Sequence, residues 1–312
     1  MTIRIFCAKL DQRGKNMFTP NELKRLENVE YISEIRASFL DTLYNVVTHF
    51  IADKSVFTID NFSAIYYDEF TLNTNCHKDI FSTIYLEIDQ PLNYRIIDKN
   101  IKKLRSKKKK DKIEFPELYL NMSDILDGLY NSFINNLDMN NLIWLDEYSI
   151  NVKASVNDDD NQVHTFYFKI IPCLTYHNKN NVAGVIYKKN NGIEIEYPQL
   201  SIENYSKKRE STNGLYHDTI LILKNILLQN KDIDSLPKEI IEIMLYNVPD
   251  DMFRDNSKST IFNVINFIRN NSIKNFKTID EQDLAFTSIY RSLSPYYVKH
   301  ILKLIERYLI MN

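Results

Sequence analysis

Several features that define common functional classes are scarce in this chain. Its 312 residues include only 5 glycines, which argues against the glycine-rich phosphate loops of P-loop and dinucleotide-binding proteins. The 3 cysteines are odd in number and widely spaced, so they predict neither a disulfide framework nor a zinc motif. With 39 basic and 41 acidic side chains, no overall charge draws the protein to nucleic acid, and any such binding must be local.

Membrane and export signals are equally scarce. No stretch approaches the roughly 18 apolar residues of a transmembrane helix. The segment Met1–Leu10 lacks the long apolar core of a secretory signal. We therefore expect a cytoplasmic protein with no membrane partner. Hydrophobic residues make up 44% and charged residues 26%, which is typical of a globular chain that buries a sizeable core.

The most informative pattern lies between Ser211 and Phe253. Its first part carries apolar residues all round the helix axis, which predicts a central helix rather than a surface helix. Lys224 lies on this helix, where its ammonium either extends to water or meets an anion. Taken alone, extension to water is the commoner outcome. A second helix follows Pro237 and ends before Pro249, so the two together predict a helical lobe.

The N-terminal half mixes helical and strand patterns. Apolar residues at helical spacing cover Glu30–Phe50, and a second helix is predicted over Met122–Leu137 with Ser123 as its N-cap. The strand candidates are rich in β-branched residues and are bounded by polar turns. They cover Val56–Ile59, Ser82–Asp89, Glu147–Val156, Val163–Leu174, and a hairpin of Ala183–Tyr187 with Ile193–Tyr197.

The two C-terminal helices resemble those of the bacterial cyclic-oligonucleotide synthases. These proteins are relatives of animal cyclic GMP-AMP synthase and oligoadenylate synthase among the polymerase-beta-like nucleotidyltransferases. Leu221–Asn225 and Ile241–Pro249 carry the resemblance, which extends from about residue 30 to the end. It implies an α+β fold, a polymerase-beta-like nucleotidyltransferase sheet with flanking helices plus a C-terminal helical lobe. We expect a nucleotidyltransferase-like domain over 1–205 and the spine helix with the helical domain over 206–312.

The catalytic carboxylates of that family are not evident in this chain. Nucleotidyl transfer needs three carboxylates that hold two Mg²⁺ ions about 3.5–4 Å apart. In the family the third carboxylate closely precedes a segment that corresponds to Ile170–Cys173 of this chain. Aligning on Pro172 and Cys173 places Lys169 at the carboxylate position. A lysine there replaces the metal only by its charge.

The first two carboxylates and the phosphate-binding turn are also altered. The most natural register places Ser82 and Ile84 at the family's Asp-x-Asp positions. A shifted register offers Glu87 and Asp89, which the period of two in a strand puts on one face. The family's Gly-Ser turn corresponds best to residues 61–63, where Phe62 stands in place of glycine and precedes Ser63. A phenylalanine side chain there blocks the close backbone approach that a phosphate requires.

Three interpretations of these substitutions follow. We favour a pseudoenzyme, a nucleotide-binding or regulatory module in which Lys169 and Lys224 hold a nucleotide or another anionic small molecule without metal. The second is an active, divergent enzyme that uses Mg²⁺ or Mn²⁺ on Glu87 and Asp89. It would make cyclic or linear oligonucleotides from nucleoside triphosphates in anti-phage signalling. The third is an interaction protein that contacts a protein partner through a basic loop.

Two basic clusters are candidates for anion binding. The run Lys102–Lys112 could attract nucleic acid, but it has no interleaved aromatic residue to stack on bases. We therefore prefer to interpret it as a solvated loop. Lys207 and Lys208 precede the spine helix, where the resemblance implies a nucleotide pocket. The candidate ligand-binding residues are Ser63, Lys169, Lys207, Lys208 and Lys224, and no metal or other cofactor is assigned unless Glu87 and Asp89 are catalytic.

Overall fold

The computed structural model describes 41–49, 62–67, 79–88, 122–137, 142–157, 163–178, 180–189, 192–228, 239–254, 256–286 and 293–311. Within these residues the chain forms two compact units, one ending at Leu200 and the other beginning at Ser201. Val56–Ile59, Asn61, Asp89 and the basic run Lys102–Lys112 lie outside the described residues. The predictions made for them stay predictions.

The first unit is built on a mixed sheet. Helix α1 (41–49) precedes strands β1 (Phe62–Tyr67) and β2 (Asp79–Ile88), and helix α2 (Met122–Asn136) follows. The remaining strands are β3 (Leu142–Leu145), β4 (Ile150–Asn157), β5 (Val163–His177), β6 (Ala183–Lys189) and β7 (Gly192–Glu196). The order across the sheet is β1-β2-β5-β4-β3, and β6 pairs with β5 and with β7. The pairing of β2 with β5 is parallel, whereas β1 and β2 form an antiparallel pair.

One face of this sheet forms the main core of the first unit. Alternate residues of β5 contribute Phe166, Phe168 and Ile170, each at most 1% exposed. Leu129 and Phe133 of α2 are fully buried in the same cluster. The spacing of four between these two α2 residues puts both on one side of the helix. Burial of this stripe against the sheet explains why α2 forms where the sequence predicts it.

The second unit is helical. Its elements are α3 (Pro198–Ser211), which begins in the first unit, α4 (Leu215–Leu228), α5 (Ile240–Tyr246), α6 (Ser257–Asn270) and α7 (Pro295–Met311). The predicted central helix is α4, which is buried on all sides and contacts α5, α6 and α7. Asn213 and Gly214 take left-handed backbone conformations between α3 and α4. The Gly214 amide donates to the Arg209 carbonyl at 2.8 Å, which closes the end of α3.

The predicted strands and helices are largely confirmed, with several differences. The short strand β3 and the helix α3 were not predicted, because β3 has only four residues and the sequence of α3 is mostly polar. The helices α6 and α7 were covered only by the general prediction of a C-terminal helical lobe. Phe62 and Ser63 were expected in a turn, and this is wrong. Both lie in β1, where they pair with Ile88 and Glu87 of β2.

The helical unit buries an ionisable histidine. His217 on α4 is 5% exposed, and the Tyr205 hydroxyl lies 2.7 Å from its Nδ1 atom. Burial lowers the pKa of His217 to about 4, and the charges of Arg209 and Lys224 add to this effect. Because the folded-state pKa lies below the ordinary value of about 6.5, the unfolded chain binds the extra proton more readily.

We therefore predict an acid-sensitive helical unit. The contribution of neutral His217 to the free energy of unfolding is fully present above pH about 6.5. It falls as the pH drops towards 4, and the total loss from His217 alone is up to about 3 kcal/mol. Denaturant unfolding at several pH values measures this slope. In His217→Gln the slope between pH 6.5 and 4 is smaller, whereas His300→Gln on α7 retains it. An unchanged slope in His217→Gln would contradict the assignment.

Candidate functional site

The parallel pairing of β2 with β5 brings the candidate catalytic positions together. Thr83 pairs with Lys169, Tyr85 with Ile171, and Glu87 with Cys173. Since side chains alternate along a strand, these six share the face opposite the Phe168 core. Tyr85, Ile171 and Cys173 form a second apolar cluster there, with Val185 and Tyr187. We call this side of the sheet the Lys169 face.

Ser82 and Ile84 lie on the opposite face of β2 from Lys169, so these two positions and Lys169 do not form one site. Ile84 belongs to the core packed against α2, and Ser82 is only 2% exposed. Three carboxylates that share two metal ions must lie on one face of the sheet. Lys169 pairs with Thr83, and Phe81 and Tyr85 flank Thr83 on the same face. None of these three β2 residues is a carboxylate.

Glu87 of the shifted register does lie on the Lys169 face. Its Oε2 atom accepts a hydrogen bond from Ser63 Oγ at 3.0 Å. However, Glu87 is four residues beyond Thr83, roughly 13 Å farther along the strand. That separation is too long for Glu87 and the position of Lys169 to share one pair of metal ions. The predicted ligand role of Ser63 stays a prediction, with the Glu87 carboxylate as its partner in the structure.

Tyr85 is tied into a tyrosine–carboxylate cluster that the sequence did not reveal. Its hydroxyl donates to Glu196 Oε2, and the Tyr187 hydroxyl donates to Glu196 Oε1 at 2.6 Å. Burial and the nearby Glu196 charge raise the pKa of Tyr85 well above its ordinary value. Tyr85 is therefore a neutral hydrogen-bond donor, whereas a metal ligand would need the phenolate. Sequence reasoning had no signal for this cluster, because Tyr85, Tyr187 and Glu196 lie on three different strands.

Lys169 presents a positive charge at the position of the third carboxylate. Its Nζ atom donates to the Tyr148 hydroxyl at 2.5 Å and lies 4.4 Å from the centre of that ring. Lys189 of β6 lies 5.7 Å from the centre of the same ring. Thr83, neutral Tyr85 and Lys169 do not fit Mg²⁺ or Mn²⁺, which prefer carboxylate oxygens. Among the described residues, no group of three or more His, Cys, Asp or Glu side chains could hold a metal ion.

Lys208 is engaged within the helical unit. It is 9% exposed, and its ammonium donates to the Val248 carbonyl at 2.7 Å and to Asp250 Oδ1 at 2.8 Å. It also lies 5.3 Å from the centre of the Phe253 ring. These contacts join α3 to the segment that follows α5. Lys207 beside it is exposed, and the ligand-binding roles of both lysines stay predictions.

The ammonium of Lys224 does not extend to water. Extension to water was expected from the sequence as the commoner outcome for a lysine on such a helix, and this prediction is wrong. Its side chain is 6% exposed and forms an ion pair with Glu242 Oε1 on α5, whose side chain is 2% exposed. The anion that Lys224 meets is thus a carboxylate of the same chain. The pair links α4 to α5. A ligand-binding role for Lys224 stays a prediction.

Known proteins match the C-terminal part of this chain in sequence. Residues 203–309 match the family model described as the cGAS/DncV-like nucleotidyltransferase C-terminal helical domain. A cyclic UMP-AMP synthase of Rhodothermus marinus is 34% identical over 96 residues, which are 30% of this chain and 33% of that protein. The matched region therefore spans about a third of the length of that relative.

Solved structures extend the likeness to nearly the whole chain. A structure of Rhodothermus marinus CdnE c-UMP-AMP synthase with Apcpp and Upnpp has a TM-score of 0.68 at 17% identity, covering 94% of this chain and 95% of that one. A structure of Elizabethkingia meningoseptica CdnE cyclic dinucleotide synthase with GTP and Apcpp has a TM-score of 0.68 at 16% identity, covering 94% and 99%. The chain resembles the cyclic-oligonucleotide synthases and has their fold, which confirms the predicted α+β architecture. In the part of the chain that the structure describes, no helix is long and apolar enough to cross a membrane.

The buried ion pair leads to a prediction about stability. Lys224→Met leaves the Glu242 carboxylate buried without its ammonium, so we expect a loss of about 3–5 kcal/mol in the free energy of unfolding. The double variant Lys224→Met/Glu242→Leu removes both charges and recovers most of that loss. Denaturant unfolding of the wild type, both single variants and the double variant gives the coupling. Additive single losses would contradict a direct pair.

The strand register leads to a second prediction. If Thr83, Tyr85 and Lys169 occupy the three metal-ligand positions, replacing all three with aspartate creates a site for Mn²⁺. We expect this variant to bind Mn²⁺ at least about tenfold more tightly than the wild type, measured by titration calorimetry. The matched control replaces the same residues with asparagine, which preserves size but removes the charge. Equal Mn²⁺ affinity in the aspartate and asparagine variants would contradict the register.

Proposed function

We propose that this chain is a nucleotide-binding pseudoenzyme on the nucleotidyltransferase fold, one that does not carry out metal-dependent nucleotidyl transfer. The observation that carries the proposal is the trio Thr83, Tyr85 and Lys169 on adjacent strands. The two solved structures of similar fold contain nucleotides or nucleotide analogues, which supports a nucleotide as the ligand. Other small molecules with a negatively charged group could bind the same ammonium and would compete for this site.

In this proposal Lys169 takes over the electrostatic role of the metal ions. An ammonium neutralises a phosphate directly and offers three donors, whereas a carboxylate would need a bridging cation. Tyr148 positions that ammonium through its hydroxyl and its ring face. Tyr85 is restrained by Glu196, so it cannot swing towards a phosphate without breaking a hydrogen bond. The site can therefore hold an anion, and none of the described residues beside Lys169 on β2 is a carboxylate that could activate an acceptor hydroxyl.

A divergent active enzyme is the second candidate. It is favoured by one observation, the position of the Glu87 carboxylate on the Lys169 face beside Ser63. In that case Glu87 and Asp89 hold Mg²⁺ or Mn²⁺ and the chain makes cyclic or linear oligonucleotides for anti-phage signalling. A protein partner that contacts the basic run Lys102–Lys112 is a further proposal, for which the structure describes no residue.

Turnover and binding assays separate these candidates. With Mg²⁺ or Mn²⁺ and the four nucleoside triphosphates, we expect no pyrophosphate release above that of a Glu87→Ala/Asp89→Ala variant. A non-hydrolysable triphosphate analogue still binds the wild type. Lys169→Ala weakens that binding by about 10- to 100-fold, because it removes a hydrogen-bonded charge. The control Lys303→Ala, an exposed lysine of α7, leaves it unchanged.

Two results would contradict the pseudoenzyme. Pyrophosphate release that is lost in Glu87→Ala/Asp89→Ala supports the active enzyme instead. If Lys169→Ala binds the triphosphate analogue as tightly as the wild type does, Lys169 does not form an anion site.

A further inference from the structure

Aromatic rings and lysines alternate across the Lys169 face. Phe81 and Tyr167 stack with their ring centres 4.6 Å apart and their planes within 9°. Lys153 lies 5.4 Å from the centre of the Tyr167 ring. Tyr148 stacks on buried Tyr187 at 5.7 Å, so Tyr187 supports the outer ring from behind.

The strand pairing places these groups side by side. Tyr167 of β5 pairs with Phe81 of β2 on one side and with Lys153 of β4 on the other. Two residues farther along β5 stands Lys169, whose ammonium shares the Tyr148 ring with Lys189. Three ammoniums from three neighbouring strands thus lie among two ring pairs. All three lysines and the rings of Phe81, Tyr148 and Tyr167 are partly exposed.

Few carboxylates oppose this positive charge. Glu194 lies 3.8 Å from Lys189, but their side chains are 48% and 35% exposed, so the pair contributes little and is screened by salt. Glu196 accepts hydrogen bonds from Tyr85 and Tyr187. Glu87 lies at the far end of the face with Ser63. Of the carboxylates whose side chains the structure describes, none lies within ion-pair distance of Lys153 or Lys169.

We propose that this face binds a single-stranded oligonucleotide, with phosphates at the three ammoniums and bases on the two ring pairs. Non-specific single-strand sites combine a positive track with aromatic rings in this way. A nucleoside triphosphate has one base and would use only one ring pair together with Lys169. The spread of three lysines and two ring pairs therefore fits a chain of nucleotides better. This inference rests on the proposed function, since it needs Lys169 to meet phosphate without metal.

The test uses the full chain and a fluorescein-labelled single strand of about 10 nucleotides, in EDTA. Fluorescence anisotropy measures the association constant at several salt concentrations. A plot of its logarithm against the logarithm of the salt concentration should have a slope near −2, because each of the three phosphate contacts contributes about −0.7. The double variant Lys153→Ala/Lys189→Ala should lower the magnitude of the slope to about 0.7. Tyr167→Leu should weaken binding by about 5- to 100-fold, and Lys303→Ala should have no effect.

A triphosphate analogue titrated in parallel separates this inference from the proposed function. Analogue binding without oligonucleotide binding overturns the inference and leaves the nucleotide-binding proposal intact. Oligonucleotide binding with an unchanged salt slope in Lys153→Ala/Lys189→Ala also overturns it. Loss of oligonucleotide affinity in that variant, with analogue affinity retained through Lys169, supports the inference. If neither ligand binds the wild type, both proposals fail.

Discussion

The parallel pairing of β2 with β5 decides which side chains meet in this protein. It sets Thr83 and Tyr85 beside Lys169 and Ile171, and it turns Ile84 into the core. A shift by one residue would exchange the two faces of β2 and put hydroxyls where the core needs aliphatic side chains. The core therefore fixes the register, and the register fixes the composition of the site.

The same pairing is the basis of our proposal that a fold shared with cyclic-oligonucleotide synthases carries a different chemistry in this chain. The α2 side of the sheet is apolar throughout the main core, whereas the Lys169 face combines a smaller apolar cluster with polar and charged side chains. That face holds Lys169 and a cluster in which tyrosine hydroxyls donate to Glu196. We infer that electrostatics on this face, rather than the fold, separate a metal-dependent transferase from a binding protein.

Lys208 and Lys224, which are buried in the described part of the helical unit, both make contacts within that unit. Lys208 and Lys224 each meet a carboxylate of the same unit, and each joins two segments that are distant in the sequence. An unpaired buried ammonium is costly, so these partners are what permit lysines in such positions. Phosphate binding by either lysine would have to compete with its internal carboxylate.

Periodicity was sufficient to predict most helices and strands, because the burial of one face leaves a repeat of two or 3.6 residues. It placed β2, α2 and α4 within a few residues. It could not align β2 with β5, since the spacing within one strand says nothing of the offset to its neighbour. Glu242 was missed as the partner of Lys224 for a similar reason, because the contact joins two helices.

We propose above all that Lys169 holds a phosphate in place of metal ions. The most direct measurement is titration calorimetry of a non-hydrolysable nucleoside triphosphate analogue, once with Mg²⁺ and once with EDTA. The account predicts equal or tighter binding in EDTA, since free phosphate charge then faces the ammonium. Binding that requires Mg²⁺ and disappears on chelation would contradict it.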